Sequence, residues 1–211
     1  MSRAERFALA GALALLLLQA MSVALPALAP ALEYRVAALT TEPWRMLSGH
    51  LVHINWPHAL INALAWVIVA RLFAQELKPA RQLFVVLGAA LVVGLGLALV
   101  WREIEWYRGF SGVLHALFFA GATVWLLQTY AARETRNPRG LWLPVALAAG
   151  GWIKVWMEQP AAGTTPFAEW LGAATVPQAH LLGAVCGTAF GLVFTRTSAS
   201  PPLPVARGHG E

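Results

Sequence analysis

The chain has 211 residues, 58% of them hydrophobic and 12% charged, with a net charge of +5. A soluble domain carries about 25% charged residues, so this composition excludes an ordinary soluble fold. All ten acidic residues are glutamate and the only cysteine is Cys186; a Ser-His-Asp triad, a two-aspartate intramembrane protease, an internal disulfide and a cysteine zinc cluster are thereby excluded, and no His-Glu-x-x-His is present to build a zincin.

The apolar residues fall into six runs, at about 7–30, 57–74, 83–101, 111–130, 141–157 and 177–195. Runs near 20 residues are long enough to cross a bilayer as helices, and the short polar breaks leave no room for a second, soluble domain. The expectation is an all-α, polytopic membrane domain over 1–196, a six-transmembrane-helix bundle. A Ser/Pro/Gly-rich tail at 197–211 is expected to be disordered and cytoplasmic. The first run follows Arg3 and Arg6 as a signal peptide would, but it is long for one, and a retained helix is expected.

Basic residues set the orientation. With the N-terminus in the cytoplasm, Arg3, Arg6, Arg71, Lys78, Arg81, Arg133, Arg136, Arg139, Arg196 and Arg207 lie inside. Arg35, Arg45, Arg102 and Arg108 lie outside, and Lys154 falls within the fifth run. Ten against four supports both termini inside. The excess charge then belongs to cytoplasmic loops and needs no nucleic-acid partner. The outer stretch 32–56 holds Trp44, Arg45, His50, His53 and Trp56 and is expected to lie partly in the membrane interface, where Trp is at home; 158–176 is the other long outer loop.

Polar groups within such helices are expensive and mark function by default. Three places stand out, all near outer helix ends. Gly109-Phe110-Ser111-Gly112 opens the fourth run. Its glycines permit close backbone approach, and a serine at a helix start sits among unpaired N–H groups able to hold an oxyanion; a plain N-cap serine is the alternative. His180 opens the sixth run, and Gly183, Gly187 and Gly191 follow on the same face within about 60°. That stripe predicts close helix packing; a glycine zipper with a hydrogen-bonded histidine is the alternative. In His53-Ile54-Asn55-Trp56-Pro57-His58, Pro57 suits a first helical turn. His58 and Asn62, four apart, then share a face and can donate to an anionic oxygen, or bond each other. His50, His53 and His58 lack the carboxylate or cysteine partners of a usual metal site, so no metal and no cofactor are expected. Cys186 lies about 120° from His180 around the helix and is expected to pack as a small apolar side chain.

Nucleophile, base and two oxyanion donors on three helices at one depth are what acyl transfer needs. The motifs resemble those of the rhomboid intramembrane proteases: Gly109-Phe110-Ser111-Gly112, Ala179-His180 with Gly183 and Gly187, the His53, His58, Asn62 spacing, and Trp44-Arg45 in the first loop, together spanning about 40–195. The resemblance implies Ser111 as nucleophile, His180 as base, and His58, Asn62 and the Ser111 N–H as the oxyanion hole, with Gly109 and Gly112 shaping it. It implies that His115, where many rhomboids have tyrosine, packs against His180, and that His53, Trp44, Arg45, Gly183 and Gly187 are supporting residues.

Ser111-Gly-Val-Leu-His115 with Lys154 and Glu158-Gln159 is similar to the rhombosortase branch, which is associated with bacterial proteins bearing Gly-Gly-containing C-terminal sorting anchors; Ala116 stands where that branch is expected to have glycine. The implied partners are membrane-anchored protein substrates and the lipid bilayer. The implied place is a bacterial inner membrane, with the site open to the outer, periplasmic side. Oligomeric state is not legible. His115 and Lys154 are rival bases, although Glu158 four residues after Lys154 offers an ion pair that explains the lysine. With no aspartate, nothing in the sequence orients His180 except the packing of His115 and the glycine face. A non-catalytic rhomboid-like client-binding protein and a haem or quinone protein are the competing function classes.

Overall fold

The computed structural model describes residues 1–132, 138–159 and 175–198. The sequence positions 160–174, most of the second outer loop, and the tail from 199 onward lie outside the described residues. Long helices dominate: α1 (Arg3–Ala24), α4 (Trp56–Leu72), α5 (Pro79–Val100), α6 (Ser111–Ala132), α7 (Trp142–Met157) and α8 (Pro177–Ser198). Between α1 and α4 lie the short helices α2 (Leu28–Leu32) and α3 (Arg45–Ser48) and the strand β1 (Tyr34–Arg35). A second strand, β2 (Trp106–Tyr107), precedes α6.

The fold is therefore all-α in its long elements, as composition implies. The first apolar run is not one helix but breaks after Ala24 and resumes at Leu28. By length and composition α1, α5, α6 and α8 can each cross a membrane. α4 has 17 residues and α7 has 16; at about 1.5 Å per residue they fall short of the ~30 Å hydrocarbon core. These two shorter helices carry His58, Lys154 and Glu158 at or near their ends, with Asn62 one turn further into α4.

The outside of the bundle is apolar. Leu13 of α1, Leu64 and Ile68 of α4, Leu87 and Leu91 of α5, and Trp142 and Trp156 of α7 are all exposed. Glu33, Arg45, His50, His53, Asn62, Gln82 and His180 are buried. An apolar exterior over a partly polar interior suits lipid as solvent.

α6 runs through the middle, with Val113, Ala116, Leu117 and Ala120 fully buried. It packs most extensively on α8, and also on α5, α7 and α4. The α6–α8 contact depends on glycine. A Cβ at Gly183 would run into the Gly112 carbonyl, one at Gly187 into the Ala116 carbonyl, and one at Gly191 would lie 2.6 Å from Thr123 Cβ. A Cβ at Gly112 would lie 2.9 Å from the Ala179 carbonyl oxygen. Small residues let the two backbones touch, which is how helices associate where lipid removes the hydrophobic drive.

Elsewhere single polar ties hold the helices. Trp66 Nε1 of α4 donates to the Ala8 carbonyl of α1 at 2.8 Å, with Gly11 leaving room for its ring. Gln82 Nε2 of α5 donates to the Ala70 and Leu77 carbonyls at 2.9 and 2.8 Å, joining α5 to the end of α4.

The loop before α4 and the loop before α6 form one cap. β1 pairs antiparallel with β2, Tyr34 opposite Tyr107 and Arg35 opposite Trp106. Glu33, 2% exposed, pairs with Arg35 and with Arg108 at 2.6 Å. Arg45 pairs with Glu42 and donates to the Pro30 and Glu33 carbonyls at 2.7 and 2.8 Å. Trp44 is exposed, so the Trp-Arg pair divides into an outer ring and an inner staple. His50 Nε2 donates to the Ala90 carbonyl of α5 at 3.0 Å. Burial pushes the His50 imidazole down to about 4, and burial with the neighbouring His58 pushes His53 down to about 3.

Two outcomes follow from this packing. Gly183→Ala is expected to lower the thermal midpoint and the yield of folded protein in detergent. Gly150→Ala, whose Cβ would meet nothing within 4 Å, is expected to hold or raise the midpoint, since helical Ala is favoured over Gly by about 1 kcal/mol. The second outcome concerns pH. Because the unfolded histidines take protons near 6.5 and the folded His50 only near 4, stability is full above about pH 6.5 and declines as pH falls towards about 4. His50→Gln should flatten that part of a stability-against-pH curve measured by thermal unfolding; an unchanged slope would contradict the assignment.

Candidate active site

Four helix ends and one loop meet beneath this cap. The chain reaches α6 through Gly109, whose φ of +130° lies in the region that favours glycine. A Cβ there would also lie 2.7 Å from the His58 ring. Gly109 N–H donates to the Gly49 carbonyl at 3.1 Å, and Tyr107 Oη donates to the Gly109 carbonyl at 2.5 Å. The turn is thus held from both sides, and Ser111 follows as the first residue of α6. As a first-turn residue its N–H has no partner within the helix and stays available to an anion.

Across the glycine contact, His180 of α8 turns its Nε2 to Ser111 Oγ at 2.9 Å. The His115 ring stacks on the His180 ring at 4.2 Å and 15°. His115 Nδ1 lies 2.7 Å from the Ser111 backbone carbonyl, so it faces the main chain and not the hydroxyl. Lys154 of α7 does not bond Ser111 either; its Nζ reaches His115 Nε2 at 3.0 Å and Glu158 Oε1 at 2.7 Å.

The predicted Lys154–Glu158 ion pair is present, but it is half of the arrangement. The other carboxylate oxygen, Glu158 Oε2, lies 2.9 Å from His180 Nδ1. In the sequence only packing is available to orient His180; the structure supplies a carboxylate. Spacing along one helix could reveal the lysine partner, but not a histidine 22 residues away on another helix. His115, Glu158 and His180 each offer a ligand atom within 4.8 Å of the others. The ammonium group of Lys154, bonded to two of the three, stands where a cation would be attracted.

Asn55 caps α4 through its side chain, which accepts from His58 N–H at 2.9 Å. The cap and Pro57 start the helix so that His58 and Asn62 stand on one face. Asn62 Nδ2 donates to the His58 carbonyl at 3.0 Å, leaving a second amide hydrogen free of that bond. His53 packs edge-on against His58 with ring centres 5.1 Å apart. Both His53 nitrogens and His58 Nδ1 are buried without a hydrogen-bond partner among the described residues.

Two cavities meet at Ser111. One, of about 310 Å³, opens under the cap between His58, Glu103, Trp106 and Arg108. The other, about 460 Å³ and mostly apolar, is lined by Ile61, Asn62 and Val69 of α4, Leu114 and Phe118 of α6, and Gly151 and Lys154 of α7. Ser111 lines both, His58 the first, and Asn62 and His180 the second. A hydroxyl between a mouth that carries charged side chains and an apolar side chamber can meet water from one direction and an apolar polypeptide from the other.

The predicted residues thus fall into three groups. Ser111, His180, His115, His58, Asn62, Gly109 and Gly112 gather at the cavity junction, with His53 behind His58. Trp44 and Arg45 belong to the cap, and Gly183 and Gly187 to the helix contact.

No curated protein matches the chain. A model of the Rhomboid domain matches residues 40–197, a span that takes in every residue of the cavity junction and the part of the cap that follows β1. That family consists typically of serine intramembrane proteases acting on membrane protein substrates, with some inactive members. Covering well over half of the 211 residues, the match shows that this chain is a membrane protein of the rhomboid family.

Proposed function

We propose that the protein is an intramembrane serine endopeptidase with Ser111 as nucleophile and His180 as general base. The observation that carries this is the 2.9 Å approach of His180 Nε2 to Ser111 Oγ from two helices 69 residues apart in sequence. An N-cap role for Ser111 would not require a buried imidazole aimed at its hydroxyl.

Ser111 Oγ attacks the substrate carbonyl carbon while His180 Nε2 takes its proton. His58, Asn62 and the Ser111 N–H donate to the resulting oxyanion, each such donor being typically worth about 3–4 kcal/mol. The C–N bond then breaks as protonated His180 passes its proton to the leaving amine. Water arriving from the cap side attacks the acyl-serine ester, giving its proton to His180, and the acid product leaves with the serine restored. The apolar chamber between α4 and α7 suits a substrate's membrane segment.

The finer assignments belong to the same proposal. Residues 1–196 form one six-helix domain in a bacterial inner membrane, both termini cytoplasmic and the site facing the periplasm, with 197–211 as a tail. Ser111 to His115, Lys154 and Glu158-Gln159 support the rhombosortase branch, whose substrates are exported proteins with Gly-Gly-type C-terminal anchors.

Co-expression with single-span proteins carrying such anchors tests both levels. Cleavage is expected with the native enzyme and its loss with Ser111→Ala and His180→Ala. His115→Ala is expected to slow cleavage without abolishing it. Equal cleavage by native enzyme and Ser111→Ala would remove the nucleophile; full activity of His180→Ala beside a dead His115→Ala would reassign the base. Removing one oxyanion donor, by Asn62→Ala, is expected to lower kcat about 10²-fold with little change in the yield of folded protein; an unaltered kcat would take Asn62 out of the hole.

A further inference from the structure

We infer that Glu158 is the third member of the hydrolytic site, a positioning residue that fixes the tautomer of His180, and that Lys154 fixes Glu158. This rests on the peptidase reading above and deepens it.

The directions of the hydrogen bonds can be derived from one fixed point. The Ser111 carbonyl can only accept, so His115 Nδ1, 2.7 Å away, carries the hydrogen. The neutral ring then offers a lone pair at Nε2, which accepts from Lys154 Nζ at 3.0 Å. Lys154 also donates to Glu158 Oε1 at 2.7 Å. Glu158 Oε2 accepts from His180 Nδ1 at 2.9 Å, so Nδ1 holds the hydrogen and Nε2 keeps its lone pair towards Ser111 Oγ. That is the tautomer a general base requires. Among the described residues, the groups facing His180 are Ser111 and His115 from α6, and Glu158 and Lys154 from α7. His58 of α4 also faces it electrostatically. Glu158 is the one carboxylate among them, so it is the group that can stabilise the imidazolium formed during attack.

Helix stability does not account for Glu158. It caps the C-terminal end of α7, where its N–H bonds the Lys154 carbonyl at 3.1 Å. A carboxylate there opposes the helix dipole. The i,i+4 pair also runs Lys before Glu, the weaker order. The side chain is four-fifths buried, with one oxygen for each of its two partners.

The test uses full-length enzyme in detergent with a single-span substrate, reading kcat and KM separately together with the thermal midpoint. Glu158→Gln keeps the shape but can donate to Nδ1 and so favour the wrong tautomer. The expected result is a fall in kcat of about 10²- to 10⁴-fold, as for the amide in a serine-protease triad. KM should stay within about threefold and the midpoint should be unchanged or higher. Lys154→Met should cost less than Glu158→Gln, and the double variant should be no slower than Glu158→Gln alone, because the lysine acts through the carboxylate. If the glutamine variant does not fold, Glu158→Ala is read in the same way. Glu158→Gln within threefold of native kcat beside an inactive Ser111→Ala overturns this inference alone. Multiplicative losses in the double variant overturn the lysine's role. Full cleavage by Ser111→Ala overturns the peptidase reading itself.

Discussion

The site exists because two helices touch backbone to backbone. Gly112 on α6 and Gly183, Gly187 and Gly191 on α8 remove the side chains that would hold the helix axes apart. With that spacing, an imidazole at the start of one helix reaches a hydroxyl at the start of the other at 2.9 Å. In lipid this contact gains little from burying apolar surface, since the tails outside are as apolar as the leucines that face them. Close packing and carbonyl contact must supply it. The approach of His180 to Ser111 and the association of the bundle therefore share one cause, and a misplacement of about 1 Å at the contact is enough to spoil the proposed chemistry.

The cap plays a different part. Glu33 ties the chain after α2 to Arg108 just before Ser111, β1 pairs with β2, and Arg45 gathers the carbonyls at 30 and 33. Glu33 and Arg45 are buried and paired, as charges in a low-dielectric place must be. Their effect is to fix the turn at Gly109, and so the direction in which α6 begins. The apolar bundle brings the helices together; the polar cap sets where the first turn of α6 points. His58 and Asn62, started by the Asn55 cap, then flank the hydroxyl from the third side.

Much of this is legible in the chain because the solvent is lipid. A serine between glycines, a histidine followed by glycines every four residues, and a histidine–asparagine pair on one helical face are conspicuous among apolar neighbours. What was not legible needed more than one helix at once. Glu158 had a sufficient partner in Lys154 four residues before it, and nothing local showed that its second oxygen meets His180. Glu33 gave no signal, because its partners Arg35 and Arg108 lie in loops whose meeting depends on a two-residue strand pair. The break between Ala24 and Leu28 inside an apolar run was hidden for the opposite reason: hydrophobicity there is continuous while the backbone is not.

In the proposed mechanism the hydroxyl at 111 is made nucleophilic by the imidazole at 180. Reaction of the folded native protein with a fluorophosphonate, followed by mass mapping of the modified peptide, addresses it most directly. One adduct is expected, on Ser111, with a strongly reduced labelling rate when His180 is replaced by alanine. A cleaving preparation that takes up no label on Ser111, or one whose labelling rate does not depend on His180, would contradict it.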